Sequence, residues 1–425
     1  MKERLHLYRC AGICDAGGVD TPQAALLVAA EGHDTRIVAL GPEPAVARHP
    51  GAAAAMCHDL PDEVIIPALV NAHAHLDLTH LGPLPFEPAG GFVGWVDRIR
   101  AGRVTDAAEI EASVAAGVDC SLAGGVIAIG DIAGIGRLEP LATLRRSVMQ
   151  GVSFLEVFGM GARQEMAIGQ LAAACDEAAT EGRVRLGLQP HATYSAGLDV
   201  FRAALRLLET ADVPVCTHLA ETPEERAFVG EAGGSIRSLL ERLGAWDPSI
   251  LEQVGRGLHP VHHLADILGY GGLLVAHVND CPDSALELLA ESGTSVAYCP
   301  RCSDYFGHAS TFGPHRYREM LKAGINVALG TDSVINLPDA ARISTLDEMR
   351  FLYRRDGTDP AVLLGMATLN GARALGLEAS QFELKEGTIA GLAAVHINER
   401  RATVRESVVA STGAIRLLHP DPDQA

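Results

Sequence analysis

The pattern of apolar and polar positions changes near residue 63. Before that point, short apolar runs are separated by Gly and Pro turns such as Gly41-Pro42-Glu43-Pro44, which predicts a small unit of β-strands. After it, β-branched runs alternate with stretches rich in Ala, Leu, Glu and Arg, for example 106–116 and 165–181, which are typical of amphipathic helices. Beyond Gly376 the chain returns to short strand-like pieces.

The central part of the chain contains eight strand-like runs with helical patterns between them. Eight strand–helix repeats favour an α/β fold of the (β/α)8 TIM barrel class, and an open doubly wound sheet is the alternative. The predicted strands are 64–70, 125–132, 152–158, 184–189, 213–217, 273–276, 294–298 and 325–329.

These patterns predict two domains. Residues 63–376 form the barrel, and residues 1–62 and 377–425 form a small β domain. The segment 231–272 is longer than one helix requires and contains the cluster His259-Pro260-Val261-His262-His263. We interpret it as a helical lid in preference to a second metal site.

Composition excludes several classes of protein. Hydrophobic residues make up 48% and charged residues 20%, which is typical of a globular chain. The net charge is −19 without a Lys/Arg block, so nucleic acid is not an expected partner. The nine scattered cysteines indicate reduced thiols. Without a signal-peptide pattern or a membrane-length apolar run, we predict a cytoplasmic protein with a small-molecule substrate, and a homo-oligomer remains open.

Polar residues follow five of the predicted strands, where a barrel carries its chemistry. The pair His73 and His75 alone is weak evidence, although side chains at i and i+2 of a strand share a face. Histidines at four strand ends and an aspartate at a fifth are together much stronger, because divalent metals such as zinc bind neutral imidazoles and carboxylates. The strand-end residues are His73, His75, His191, His218, Glu221, His277 and Asp332.

Four motifs resemble those of the amidohydrolase superfamily, and more narrowly its deaminase and chlorohydrolase branch. They are His73-Ala74-His75, Thr217-His218-Leu219-Ala220-Glu221-Thr222, His277 and Gly330-Thr331-Asp332-Ser333. The segments Tyr298-Cys299-Pro300-Arg301 and Tyr305-Phe306-Gly307-His308 are most similar to aminofutalosine deaminase-like proteins.

The resemblance implies a TIM barrel with a small β-sandwich domain built from the N- and C-terminal segments. It also implies one divalent ion, Zn²⁺ or alternatively Fe²⁺, with the ligands His73, His75, His218 and Asp332. Two-metal branches usually carry a bridging lysine after strand 4. Here that position reads Gln189-Pro190-His191, which favours a mononuclear site.

The chemistry of these residues is consistent with the resemblance and suggests the role of each. Asp332 would also accept a proton from the attacking water, and Glu221 would pass protons to a ring nitrogen and the leaving amine. His277 would polarise the nucleophile or hold the tetrahedral intermediate. The expected substrate-binding residues are His191, Trp95 and Arg301.

We therefore expect a metal-dependent aminohydrolase that deaminates an amino-substituted heterocycle, either a purine base or a nucleoside-like compound, and releases ammonia. The alternative is hydrolysis of an amide, imide or aryl-chloride bond at the same site. A non-enzymatic barrel is disfavoured because all four ligands are present. The pair Cys299 and Cys302 is interpreted as part of the strand 7 loop in preference to half of a zinc site.

Overall fold

The computed structural model describes residues 4–31, 34–177 and 182–418, and the statements below concern that part of the chain. The chain divides into two compact units. The first comprises Met1–Asn71, Asp119–Ala128 and Ala341–Ala425, and the second comprises Ala72–Val118 and Ile129–Ala340.

Fifteen strands are present in the described residues. In chain order, β1 to β15 are Arg4–Cys14, Asp20–Glu31, Asp34–Pro42, Met56–Pro67, Leu69–Ala74, Val126–Ala133, Gln150–Val157, Val184–Pro190, Cys216–Leu219, Leu274–His277, Ser295–Tyr298, Val327–Leu329, Gly387–Ile389, Leu392–His396 and Ile415–Leu418.

Eighteen α-helices lie in the same described part. In chain order, α1 to α18 are Glu43–Val46, Gly91–Gly102, Ala107–Ala123, Glu139–Arg145, Gln164–Glu177, Leu198–Ala211, Pro223–Glu231, Gly234–Arg242, Pro260–His263, Ala265–Leu268, Asp283–Ser292, Pro300–Tyr305, His308–Phe312, Tyr317–Lys322, Thr345–Asp356, Pro360–Ala367, Leu369–Ala374 and Val404–Ala410. Short 3₁₀ helices are Pro50–Ala54, Leu76–Leu81, Pro88–Gly90, Gly134–Gly136, Gly161–Arg163, Pro248–Glu252, Val334–Asn336 and Ala379–Phe382.

Strands from both chain ends form one seven-stranded sheet in the order β13-β3-β2-β1-β4-β14-β15. Both faces of this sheet are buried, because Leu26 and Val28 pack into one apolar cluster while Leu27, which alternates with them, packs into another. A small β domain drawn from both ends was expected. The finer prediction of a β-sandwich and the predicted domain bounds remain predictions, and the part of the tail at 419–425 lies outside the described residues.

The strand predicted over 64–70 is in fact two strands. β4 continues to Pro67 within the seven-stranded sheet, where Ile65 pairs with Ala394, and β5 begins only at Leu69. Ala68 lies between them and donates its backbone N–H to the carbonyl of Gly391. The run is buried throughout, so its hydrophobic pattern contains no signal for the break.

The eight remaining strands form the predicted (β/α)8 barrel. They lie in two four-stranded sheets, β5-β6-β7-β8 and β9-β10-β11-β12. Parallel bridges between Leu188 and Val215 and between Ala74 and Asp332 join these sheets on both sides, which closes the barrel. The predicted helix over 165–181 corresponds to α5, and its last residues lie outside the described part of the chain.

The predicted lid segment is helical and contains α8, α9 and α10. Ile236 and Leu240 of α8 join an apolar cluster with Phe92 of α2. His259 caps α9 by accepting a hydrogen bond from the Val261 N–H, and its Nε2 lies 3.2 Å from Asp280 Oδ2. His259 of this cluster therefore has a structural role. Among the described helices, none is long and apolar enough to cross a membrane.

Gly151 allows a close approach between neighbouring barrel strands. Its φ is +130°, and a Cβ atom there would lie 2.0 Å from the carbonyl oxygen of Ile129. We expect Gly151→Ala to lower the free energy of unfolding by about 3 kcal/mol, measured by urea unfolding followed by circular dichroism.

Gly41→Ala is the matched control, because Gly41 has a φ of +137° and no atom within 4 Å of the added Cβ. Gly41→Ala should lower the free energy of unfolding by only about 1 kcal/mol, because backbone strain is its only cost. Equal losses in the two variants would contradict the steric explanation.

Candidate active site

The four predicted metal ligands meet at the carboxyl ends of the barrel strands. His73 lies at the end of β5, His218 lies on β9, and Asp332 follows β12. The ligand atoms of His73, His75 and His218 all lie within 4.8 Å of one another. Asp332 Oδ1 is 3.3 Å from His75 Nε2 and 3.8 Å from His73 Nε2. The four donors therefore surround one point.

This donor set fits a divalent cation. Burial lowers the pKa of His73 and His75 well below the usual value, and lowers the pKa of His218 to about 4, so all three rings are neutral near pH 7. The neighbouring ring of His218 adds to the shift at both His73 and His75. Neutral imidazoles and a carboxylate are the ligands that zinc takes in catalytic sites.

Two side chains fix the orientation of the Asp332 carboxylate. Cys302 Sγ donates a hydrogen bond to Oδ2 over 2.8 Å, and Asn336 Nδ2 donates to the same oxygen over 2.9 Å. Oδ1 is thereby left to face His73 and His75. The backbone φ of Asp332 is +57°, a strained value for a residue other than glycine.

A backbone carbonyl and the side-chain amide of Gln189 both lie 3.1 Å from Nδ1 of His218, and the carbonyl favours the tautomer protonated there. The Nδ1–H lies 3.1 Å from the carbonyl oxygen of His191, to which it can donate. The lone pair of Nε2 then points away from that carbonyl, as a metal-ligating imidazole requires.

Glu221 and His277 form a second pair beside the ligands. Glu221 Oε1 lies 3.6 Å from His277 Nε2. Burial raises the pKa of Glu221 well above its usual value, and the carboxylate of Asp332 raises it further. The raised pKa favours the protonated form of Glu221, which can act as an acid.

The loop around Glu221 is held by a buried carboxylate that the motif search missed. Glu225 accepts hydrogen bonds from the backbone N–H groups of Ala220 and Glu221, over 3.1 and 2.7 Å, and from Thr193 Oγ1. Asn279 donates to the Glu221 carbonyl over 3.2 Å. These contacts position the Glu221 side chain without occupying its carboxyl group.

The three expected substrate-binding residues differ in position. His191 and Trp95 line a cavity of about 440 Å³ that opens from the ligand cluster. Arg301 lies on α12 and is not among the described residues that line this cavity. The prediction for Arg301 therefore remains without support from the geometry.

The cavity has a polar floor and an apolar outer wall. His75, His218, Glu221, His277 and Asp332 line the floor. The wall comes mainly from α2, α8 and adjoining loops, and it includes Phe92, Trp95, Val96, Ile135, Phe158, Ile236, Leu239, Leu240 and Leu243. Its volume lies in the range of about 300–1,000 Å³ that holds drug-sized ligands.

A row of buried charges along the cavity was also missed. Arg103 Nη2 lies 2.9 Å from Asp77 Oδ2, and its Nη1 lies 4.0 Å from Glu156 Oε2. Asp131 accepts hydrogen bonds from the Leu76 N–H and from Ser153 Oγ. Burial raises the pKa of Asp131 to about 7. Glu156 lies inside a predicted strand, so a search restricted to residues that follow strands passed over it.

Comparison with known proteins agrees with the fold. The model of the amidohydrolase family matches residues 64–413, so this chain belongs to the amidohydrolase family.

Two curated relatives illustrate the similarity. A 5-methylthioadenosine/S-adenosylhomocysteine deaminase of Haloarcula marismortui is 27% identical over 370 residues, which cover 83% of this chain and 77% of that protein. An aminodeoxyfutalosine deaminase of Deinococcus radiodurans is 29% identical over 330 residues, which cover 74% of this chain and 73% of that protein.

Solved structures share the fold. The aminofutalosine deaminase of Helicobacter pylori superposes with a TM-score of 0.76 at 19% identity, covering 97% of this chain and 98% of that one. An adenosine deaminase of Xanthomonas campestris with bound zinc superposes with a TM-score of 0.71 at 20% identity, covering 96% of this chain and 89% of that one.

The hydrogen bonds to Asp332 Oδ2 yield a testable prediction. We expect Cys302→Ala and Asn336→Ala each to weaken zinc binding about 10- to 100-fold, because the carboxylate is no longer held toward the histidines. Competition with a chromophoric chelator measures the affinity.

Cys302→Ser should stay near the wild-type affinity, because its hydroxyl can still donate. Cys281→Ala is a control at another buried cysteine, whose thiol faces the carbonyl of Pro282. Wild-type affinity in both Cys302→Ala and Asn336→Ala would show that these contacts do not orient the ligand.

Proposed function

We propose that this protein is a zinc-dependent aminohydrolase that deaminates an amino-substituted heterocycle, a purine base or a nucleoside-like compound, and releases ammonia. Membership of the amidohydrolase family makes it a hydrolase, and its curated relatives are named as deaminases, which act on carbon–nitrogen bonds. The observation that carries the proposal is the buried Glu221, whose pKa is raised, beside the cluster of His73, His75, His218 and Asp332.

His73, His75, His218 and Asp332 are the residues that would hold the ion. When bound, a divalent ion supplies Lewis-acid chemistry, which lowers the pKa of water and makes a nucleophile available near neutral pH.

The carboxyl groups of this chain account for the protons. Water adds to the ring carbon that bears the amine, and Asp332 takes one proton from it while Glu221 gives its proton to the adjacent ring nitrogen. Asp332, which now carries a proton, then protonates the amine, a step that the resemblance had suggested for Glu221. The carbon–nitrogen bond breaks, ammonia leaves, and Glu221 recovers a proton from the new hydroxyl group as the ring carbonyl forms.

His277 and the cavity residues complete the proposal. His277 Nε2 lies 3.6 Å from Glu221 Oε1, where it can stabilise charge that develops on the attacking oxygen. His191 would donate to or accept from the heterocycle, and Trp95 would pack against it at the apolar wall.

We also propose the remaining properties predicted from the sequence. They are a cytoplasmic location, a small-molecule substrate as the only partner apart from further copies of this chain, and a seven-stranded sheet that folds as a β-sandwich. The two apolar clusters on its opposite faces support the last of these.

The direct test is ammonia release. Zinc-loaded protein is incubated with adenine, guanine, their nucleosides and a chlorotriazine, and ammonia and chloride are both measured. We expect ammonia from at least one purine compound. Chloride without ammonia would replace the proposal with the aryl-chloride alternative, and turnover of no compound would overturn the purine assignment.

Glu221→Gln tests the proton transfer. We expect kcat to fall about 10²- to 10⁴-fold while the zinc content is unchanged, because the amide cannot give up a proton to the ring nitrogen. Glu231→Gln, at the last residue of α7, is the control and should stay within about twofold of wild type, because Glu231 is exposed and does not line the cavity. Full activity in Glu221→Gln would rule out Glu221 as the acid.

A further inference from the structure

We propose that Glu156 is a specificity-determining residue, whose carboxylate accepts hydrogen bonds from hydroxyl groups on a sugar-like part of the substrate. This inference rests on the proposed function, because it concerns the same cavity. It names a substrate feature, the hydroxyl-bearing group, that none of the metal-site motifs specifies.

Glu156 is a buried carboxylate with unused hydrogen-bonding capacity. It lies near the end of β7, only 3% of its surface is exposed, and it lines the cavity. The nearest basic groups are His191 Nε2 at 3.6 Å and Arg103 Nη1 at 4.0 Å, both beyond hydrogen-bond length. Among the residues the structure describes, none donates a hydrogen bond to it. A carboxylate has about four acceptor positions, and leaving them unfilled in a buried site is costly.

The position of Glu156 matches the middle of an extended ligand. The ring of His191 lies 4.9 Å from that of His218 on the metal side and 4.6 Å from that of Phe158 on the other side. Phe158 is 44% exposed and lines the cavity. Glu156 beside His191 is thus reached by the part of a substrate that lies between the reacting ring and the apolar wall.

Arg103 keeps this carboxylate in place without satisfying it. Arg103 makes its short contact with Asp77 and lies farther from Glu156. A Cβ atom on Gly134 would come within 2.4 Å of the guanidinium, so only glycine there leaves room for this arrangement. The strand–loop geometry therefore holds Arg103 behind the acceptor.

The contacts of Glu156 leave room for neutral donors. Arg103 is paired with Asp77 and lies 4.0 Å from Glu156, so the carboxylate has a cation nearby but no hydrogen-bond donor from it. Hydroxyl groups can supply these hydrogen bonds. Vicinal hydroxyls of a ribose-like ring match two carboxylate oxygens.

The mouth of the cavity supports an extended substrate rather than a bare base. Ile135 is a β-branched residue with a φ of +56°, it is 39% exposed, and it lines the cavity. Such strain in a β-branched residue is rare and is concentrated at ligand sites. Ile135 and Glu156 line the same cavity, so a substrate that extends toward Ile135 can contact Glu156.

Binding of adenosine and of 2′,3′-dideoxyadenosine tests the inference. Calorimetry is carried out on zinc-loaded protein with the Glu221→Gln substitution, which suppresses turnover. We expect adenosine to bind at least about tenfold more tightly than the dideoxy compound when Glu156 is intact. Adding Glu156→Gln should weaken adenosine about tenfold and change the dideoxy compound by less than about twofold.

Glu156→Asp provides a second variant that keeps the charge near Arg103 but withdraws the carboxylate by one methylene. We expect it to lose adenosine preference as well, whereas a purely structural role would be rescued by aspartate. Unfolding midpoints show whether either variant folds.

Three results would overturn the inference. The Glu156 variants could lose affinity equally for both ligands, neither ligand could bind, or the protein with intact Glu156 could show no preference for adenosine. Failure of the inference is distinguishable from failure of the proposed function. Hydroxyl-dependent binding through Glu156 without ammonia release by the wild type would overturn only the function. Ammonia release that Glu156 variants leave unchanged would overturn only the inference.

Discussion

The orientation of one buried carboxylate organises this site. Asp332 is 6% exposed, and Cys302 and Asn336 hold one of its oxygens while the other faces His73 and His75. Burial raises the pKa of Asp332 to about 6, so its charged form depends on compensation from its surroundings. A cation among the histidines provides that compensation, and a strained backbone at +57° places the carboxylate to meet it. The proton-transfer role proposed for Asp332 follows from the same placement.

Three buried glutamates have different hydrogen-bond partners, and we assign them different roles. Glu221 is driven toward its neutral form by burial and by Asp332, which suits an acid that gives a proton to a ring nitrogen. Glu225 instead accepts three hydrogen bonds and holds the loop. Glu156 lies beside the cavity and accepts no hydrogen bond from the described residues, and for this reason we assign it to substrate binding. Carboxyl groups of similar burial thus acquire different roles from their hydrogen-bond partners.

Sequence patterns located the side chains of the candidate site best where these lie at strand ends. His73, His75, His218 and Asp332 follow or end apolar runs, and the barrel brings such positions to one face. They were less successful where contacts join distant segments. Cys302 was noticed as half of a cysteine pair, but its hydrogen bond to Asp332 spans 30 residues. Glu156 was hidden within a strand pattern, and the break at Ala68 has no polar residue to mark it.

An anomalous diffraction map of zinc-loaded crystals, recorded on both sides of the zinc absorption edge, tests the central claim most directly. The account predicts one peak per chain, within bonding distance of His73, His75, His218 and Asp332 Oδ1. A peak among Glu156, His191 and His218, the other described group of potential ligands at this site, would contradict it. So would a zinc-loaded crystal without a peak at the barrel mouth.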